Sequence, residues 1–209
     1  MPVLYTISMN IKDRACVVVG GGKVAERKTL SLLEAGAVVL VVSPQLTATL
    51  KLLESQQKIK VIKRNFIKTD VNNALLVISA TDCDKINKEV AAICKEKDIL
   101  VNIADNPIDS TFHVPSVLRR GDLSITVSTN GKSPALAAKI KKDLSKQYGD
   151  EYIEYIELLG ELRQKILSEV EDSDRRKKIF QDIVESDLLE LIQLGKDSLI
   201  RERINKCLS

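Results

Sequence analysis

The chain has 209 residues, 44% hydrophobic and 29% charged, with a formal net charge of +3. That length suits one nucleotide-binding domain with a smaller appendage, and the composition argues against long disordered tracts. A charge this small, interleaved acids and bases, and an absence of Trp give no case for a nucleic-acid partner. The longest apolar runs, Ala37–Val42 and Leu75–Ala80, are too short to span a bilayer, so no membrane association is expected. No charged segment followed by an apolar stretch opens the chain, and a cytoplasmic protein is expected. Cys16, Cys83, Cys94 and Cys207 are scattered and His113 is the single histidine, which leaves no metal site to expect.

In chain order, the first half alternates near-continuous apolar runs with helical patterns. Ala15–Val19, Val38–Val42, Ile59–Ile62, Leu75–Ser79 and Ile99–Ile103 have the pattern of parallel strands covered by helices on both faces. Helices are predicted over Val24–Ala35, Pro44–Ser55 and Asp84–Lys97, with Gly36 as a left-handed stop for the first. The fold class that follows is α/β, a Rossmann-like doubly wound parallel sheet. After Pro107 the pattern changes to two short strands, Val117–Arg120 and Leu123–Ser128, around the turn Arg120-Gly121-Asp122. Ser133-Pro134 opens a helix that runs to about Tyr148, with Ser133 as cap and Pro134 in the first turn. From Asp150 onward the sequence is helical, with Ile153, Ile156, Leu159, Leu162 and Ile166 at helical spacing. Shorter helical segments follow around Arg175–Val184, Asp187–Leu194 and Asp197–Cys207. The expected division is a nucleotide-binding domain over 1–113, a small α+β dimerisation region over 114–148 and a helical domain over 149–209.

The strongest motif is Gly20-Gly21-Gly22-Lys23-Val24-Ala25, which fits the dinucleotide fingerprint G-x-G-x-x-A directly after a strand and at a helix start. Gly20 permits the tight turn, Gly22 leaves room for a pyrophosphate, and Ala25 lets helix and strand approach. The amides at the helix start then face the phosphates. The acid expected at the end of the second strand is absent; Val42-Ser43-Pro44 stands there. From the residues alone the choice between NAD and NADP stays open, and Ser43 is either a ribose contact or a helix cap before Pro44. At the exit of the fourth strand, Thr81 and Asp82 are candidates for the cofactor, although Asp82 or Asp84 also suits a helix cap. At the exit of the fifth, Asp105 in Asn102-Ile103-Ala104-Asp105-Asn106-Pro107 is either a proton acceptor during hydride transfer or ordinary turn chemistry. A lone histidine such as His113 is more often structural or on the surface than functional.

Four stretches taken together resemble the precorrin-2 dehydrogenase family, including the corresponding module of siroheme synthases. They are Gly20 to Lys28, Ser79 to Asp82, Asn102 to Pro107, and Ser128-Thr129-Asn130-Gly131-Lys132-Ser133-Pro134-Ala135-Leu136-Ala137. The resemblance covers roughly the first 145 residues, and the helical tail matches only in general character. It implies an intertwined homodimer, NAD rather than NADP, and a catalytic role for Asp105. Lys23, Val24 and Pro44 join the cofactor loops by the same resemblance. The implied reaction takes a hydride and a proton from precorrin-2 and gives sirohydrochlorin, on the way to siroheme or cobalamin. A substrate with many carboxylates calls for donors, and His113, Arg119, Lys132 and Ser133 are the candidates. Arg119 and Lys132 equally suit a solvated surface.

Some members also insert iron or cobalt, but dehydrogenation is expected here as the main activity, with chelation weak or absent. A bifunctional dehydrogenase and ferrochelatase is the alternative. A regulatory module that binds NAD without turnover is the rival from another class. The chain stops at Ser209, so the methyltransferase domain of larger siroheme synthases is not expected.

Overall fold

A computed structural model describes residues 4–208. Five parallel strands, β1 (Ala15–Val19), β2 (Val38–Val42), β3 (Lys60–Ile62), β4 (Leu76–Ser79) and β5 (Leu100–Ile103), form one sheet in the order β3-β2-β1-β4-β5. The register aligns Val19 with Val42 on one side and with Ser79 on the other, and Ser79 with Ile103. The strand ends therefore make one continuous carboxyl rim.

Helices α1 (Lys23–Glu34) and α2 (Ala48–Ser55) cover one face with a core that includes Val18, Val39, Val41, Leu32 and Leu50. Helix α3 (Asp84–Glu96) and a 3-10 turn at Lys68–Val71 cover the other, around Val17, Val77, Val90, Val101 and Val71. Valines buried from both faces explain why the strands are apolar without alternation. Cys16 and Cys94 lie in these two cores, and burial pushes each thiol up to about 11, so both are held as inert thiols.

Two expectations shift. Helix α2 starts at Ala48 rather than Pro44, because Thr47 supplies the cap by accepting from the Leu50 amide at 3.3 Å. Residues 43–46 instead cross the rim toward Gly21, whose carbonyl accepts from the Thr47 amide at 3.1 Å. The Lys68–Val71 turn had no apolar period to announce it. It is held by a carboxylate: Asp70 accepts from the Ile67 amide and, in a fork of 2.6 and 2.8 Å, from Arg64.

The chain divides into two compact units, Met1–Val114 and Pro115–Ser209. The second holds an antiparallel hairpin of β6 (Ser116–Arg120) and β7 (Leu123–Val127), then α4 (Pro134–Gln147), α5 (Glu151–Glu169), α6 (Ser173–Glu185), α7 (Leu188–Gln193) and α8 (Asp197–Leu208). Its core gathers Tyr155, Leu162, Ile166, Ile179, Ile183, Leu188 and Ile192. Ile153, expected in the buried stripe of α5, is 39% exposed. Among the described residues no helix is long and apolar enough to cross a membrane.

Candidate cofactor and active site

The three glycines after β1 have different surroundings. Gly20 has φ of 119°, and a β-carbon there would lie 2.2 Å from the Ala80 carbonyl oxygen. At Gly21 a β-carbon would lie 1.9 Å from the Gln45 carbonyl oxygen, so both positions are glycine because neighbouring strand exits pass too close. Gly22 is extended, at φ −82° and ψ −172°, and a β-carbon there would meet nothing within 4 Å. Space is thus kept at the one glycine that begins α1, whose first turn has no side-chain cap. Uncapped amides beside open space suit the phosphates of a dinucleotide.

Ala25 is fully buried and lets α1 settle on the sheet, whereas Val24 is half-buried. Lys23 reaches back to Glu26 at 3.2 Å and is otherwise exposed. A hydrogen bond from the Thr47 hydroxyl, helped by Lys23, holds the Glu26 carboxyl below the usual carboxylate range. Ser43 is buried and donates its hydroxyl to the Gln45 carbonyl at 2.7 Å, so it shapes the crossing loop and does not cap α2. Pro44 beside it is exposed.

At the exit of β4, a buried asparagine absent from the sequence expectations organises the rim. Asn87 accepts from the hydroxyls of Ser79 at 2.7 Å and Thr81 at 2.8 Å, and donates to the Thr81 carbonyl at 3.0 Å. Thr81 is thereby committed to fixing the strand exit onto α3. Cys83 holds the cap position of that helix without a side-chain bond, so neither Asp82 nor Asp84 caps it. Asp82 is exposed.

The loop after β5 separates two roles within Asp105-Asn106-Pro107. Asn106 does the turn chemistry, accepting from the amides of Ile108 at 3.1 Å and Asp109 at 3.2 Å. Asp105, at φ 61°, is exposed and makes no side-chain hydrogen bond among the described residues. The left-handed region is uncommon outside glycine, although aspartate tolerates it. A cleft of about 290 Å³ opens beside it, lined by Asp84, Asn87, Lys88, Ile103, Ala104 and Asn106. On α1, burial and then the neighbouring Arg27 lower the proton affinity of Lys28, and the Asp105 carboxylate raises it.

The backbone that follows returns along β5, where the Asn102 side chain donates to the Phe112 carbonyl at 3.0 Å. It leaves His113 half-buried at the end of the first unit. Among the described residues no three His, Cys, Asp or Glu side chains converge as metal ligands would.

The NAD(P)-binding family model matches residues 7–116, and the model of the central part of sirohaem biosynthesis proteins matches residues 120–147. A siroheme synthase from Thioalkalivibrio sulfidiphilus is 35% identical over 98% of this chain, but over only 42% of its own length. A precorrin-2 dehydrogenase from Priestia megaterium is 32% identical over 87% of this chain and 90% of its own. The chain belongs to this precorrin-2 dehydrogenase and siroheme synthase family. A solved structure of SirC, a precorrin-2 dehydrogenase, superposes with a TM-score of 0.81 at 30% identity, covering 97% of this chain and all of that one. The chain spans about two fifths of the siroheme synthases it matches.

Within the family frame, Gly20, Gly22, Lys23, Val24, Ala25, Ser43, Pro44, Thr81, Asp82 and Asp105 all lie on loops or a helix start at one rim of the sheet. Arg119, Lys132 and Ser133 belong to the second unit. There, Arg119 and Lys132 are exposed, and Ser133 caps α4 by accepting from the Leu136 amide at 3.3 Å. Gly21 and Asn87 are rim residues not singled out from the sequence, although Gly21 stands within the glycine motif. Asn87 did leave a signal, being a polar residue inside the apolar stripe of α3.

Proposed function

We propose that the chain oxidises precorrin-2 to sirohydrochlorin with NAD, and that Asp105 is the proton acceptor. The observation that carries this is the pairing, on one sheet rim, of an open uncapped helix start at Gly22 with an exposed carboxylate at Asp105. Bound NAD supplies the hydride acceptor. Gly20 and Gly22 with the amides of Lys23, Val24 and Ala25 hold its pyrophosphate, and Ser43, Pro44, Thr81 and Asp82 border the rest. Asp105 takes the proton that leaves as the hydride departs, so two electrons and two protons go from the substrate in each turnover, one proton within the hydride and one to the carboxylate. His113, Arg119, Lys132 and Ser133 supply donors for the substrate carboxylates.

The working protein is a homodimer, paired through the segment 114–148, with the helices of 149–209 as a separate domain. In support, the hairpin and α4 bury only Leu118 and Ala137 among their own side chains, too little to stabilise them alone. The deciding experiment mixes purified protein with precorrin-2 and NAD and follows the absorbance of NADH and sirohydrochlorin. Stoichiometric formation of both is expected. Binding of NAD without turnover would replace this proposal with a regulatory nucleotide-binding module.

A further inference from the structure

Asn87 is 9% exposed and lines the cleft of about 290 Å³ that Asp105 also lines. A side-chain amide has two acceptor sites on its oxygen and two N–H donors. The hydroxyls of Ser79 and Thr81 fill the oxygen, at 2.7 and 2.8 Å, and the Thr81 carbonyl takes one N–H at 3.0 Å. A carbonyl only accepts, so the nitrogen must face Thr81 and the amide is fixed in that orientation. Its second N–H has no acceptor among the described residues. Buried donors are otherwise paired in folded proteins, and one left over on the wall of a cleft calls for an acceptor on a ligand.

The cleft restricts what carries that acceptor. Its volume lies at the lower end of ligand pockets, about 300–1,000 Å³, which admits one ring and its substituent but not a tetrapyrrole. Asp84 and Asp105 set two carboxylates against the single ammonium of Lys88, so a carboxylate arm is disfavoured and a neutral polar group fits. Along the rim only β4 separates β5 from β1, a distance of two strand spacings, about 10 Å. A dinucleotide whose pyrophosphate sits at Gly22 spans it with its second ribose and its ring.

We infer that Asn87 binds the cofactor: its second N–H donates to the carboxamide carbonyl of the nicotinamide, with the ring in the cleft that Asp105 lines. This rests on the NAD-dependent reading above. The amide then has two tasks. Three of its hydrogen bonds lock the exit of β4 onto α3, and the fourth ties that exit to the ring. A donor already held by three bonds loses little freedom when the ring binds, which favours both affinity and alignment. The carboxylates on the same walls suit the NH₂ end of the carboxamide.

Two binding measurements test the inference without turnover. Calorimetry compares NAD with an analogue whose pyridinium lacks the carboxamide, in the unmodified protein and in Asn87→Asp. The aspartate keeps oxygen acceptors for Ser79 and Thr81 and removes the N–H donors. Both ligands carry the pyridinium charge, so the new carboxylate acts on each alike. The unmodified protein is expected to prefer NAD about 10-fold, as one hydrogen bond allows, and Asn87→Asp to bring that preference to about twofold. An undiminished preference overturns the inference, and so does equal weakening of the two ligands, which would leave Asn87 a structural role only. The second measurement stands even if the variant fails to fold: nitrogen-resolved NMR of the Asn87 side-chain amide in the unmodified protein. NAD is expected to move one of the two amide protons downfield, and the analogue to leave it in place. The same spectrum with either ligand overturns the contact. A protein that shows the NAD shift but does not oxidise precorrin-2 would sink the dehydrogenase reading and leave the Asn87 contact standing.

Discussion

At Gly20 and Gly21 the fold leaves no room for a β-carbon, whereas at Gly22 it leaves space that protein atoms do not fill. Substitutions should separate these cases. Gly21→Ala drives a methyl into the Gln45 carbonyl and should destabilise the protein by about 2–3 kcal/mol, as overpacking does, read as a fall in the thermal midpoint. Gly22→Asp should leave that midpoint unchanged and weaken NAD by at least about 100-fold, because a carboxylate then faces the pyrophosphate. Calorimetry showing undiminished NAD affinity would remove this loop from the cofactor site. Asp105→Ala belongs to the same scale. With Asn106 holding the turn, loss of the Asp105 carboxylate should spare fold and NAD binding while dehydrogenation falls about 10²- to 10⁴-fold. Near-normal turnover in that variant would return Asp105 to a local turn role.

Elements at the rim are tied together by polar groups within apolar faces. Asn87 stands one turn before Val90 and Ala91 on the buried side of α3, and its side-chain oxygen accepts from the buried Ser79 hydroxyl at 2.7 Å. Asn87→Leu should strand that hydroxyl and loosen the exit of β4, at about 1–3 kcal/mol. The crossover from β3 to β4 depends on Asp70, whose carboxyl is held below its ordinary value, first by the hydrogen bonds from Arg64. Its side chain is 3% exposed and that of Arg64 is 39%, so solvent screens part of the interaction. Asp70→Asn is expected to remove about 1–2 kcal/mol at neutral pH. A carboxyl lowered on folding contributes stability above its unfolded value, near 3.8, and loses it as pH falls through the folded one. The gap between wild type and Asp70→Asn should therefore be full at pH 7 and narrow below about pH 4. A gap that stays constant across that range would show that the Asp70 charge adds nothing.

At the scale of the whole molecule, the predictions concern assembly and the range of chemistry. Light scattering at micromolar concentration should give twice the chain mass of 23.2 kDa, and a monomer would remove the proposed pairing through 114–148. Metal insertion is expected to be weak or absent, since among the described residues no cluster of ligands converges to deliver an ion. Sirohydrochlorin supplied anaerobically with Co²⁺ or Fe²⁺ should then metallate at the protein-free rate. A large acceleration that Asp105→Ala abolishes would establish a bifunctional enzyme, one carboxylate accepting protons in both reactions.

The sequence by itself determined the five strands, the helices between them and the dinucleotide loop. Continuous valine runs bury on both faces wherever they pair, and glycine tolerates φ of 119° at residue 20 in any such turn. It placed Asp105 at a strand exit and left turn and catalysis as alternatives, because Asp, Asn and Pro are all turn formers. Tertiary structure decided that Asn106 makes the turn bonds and that Asp105 is left with its carboxylate exposed. It also decided which polar residues in apolar stripes matter. Asn87 looks like a break in a helical pattern until α3 packs back on β4 and sets it against the Ser79 and Thr81 hydroxyls. Local periodicity follows from the backbone's own repeat, whereas such pairings join a strand exit to a helix face and exist only once the helix has packed on the sheet.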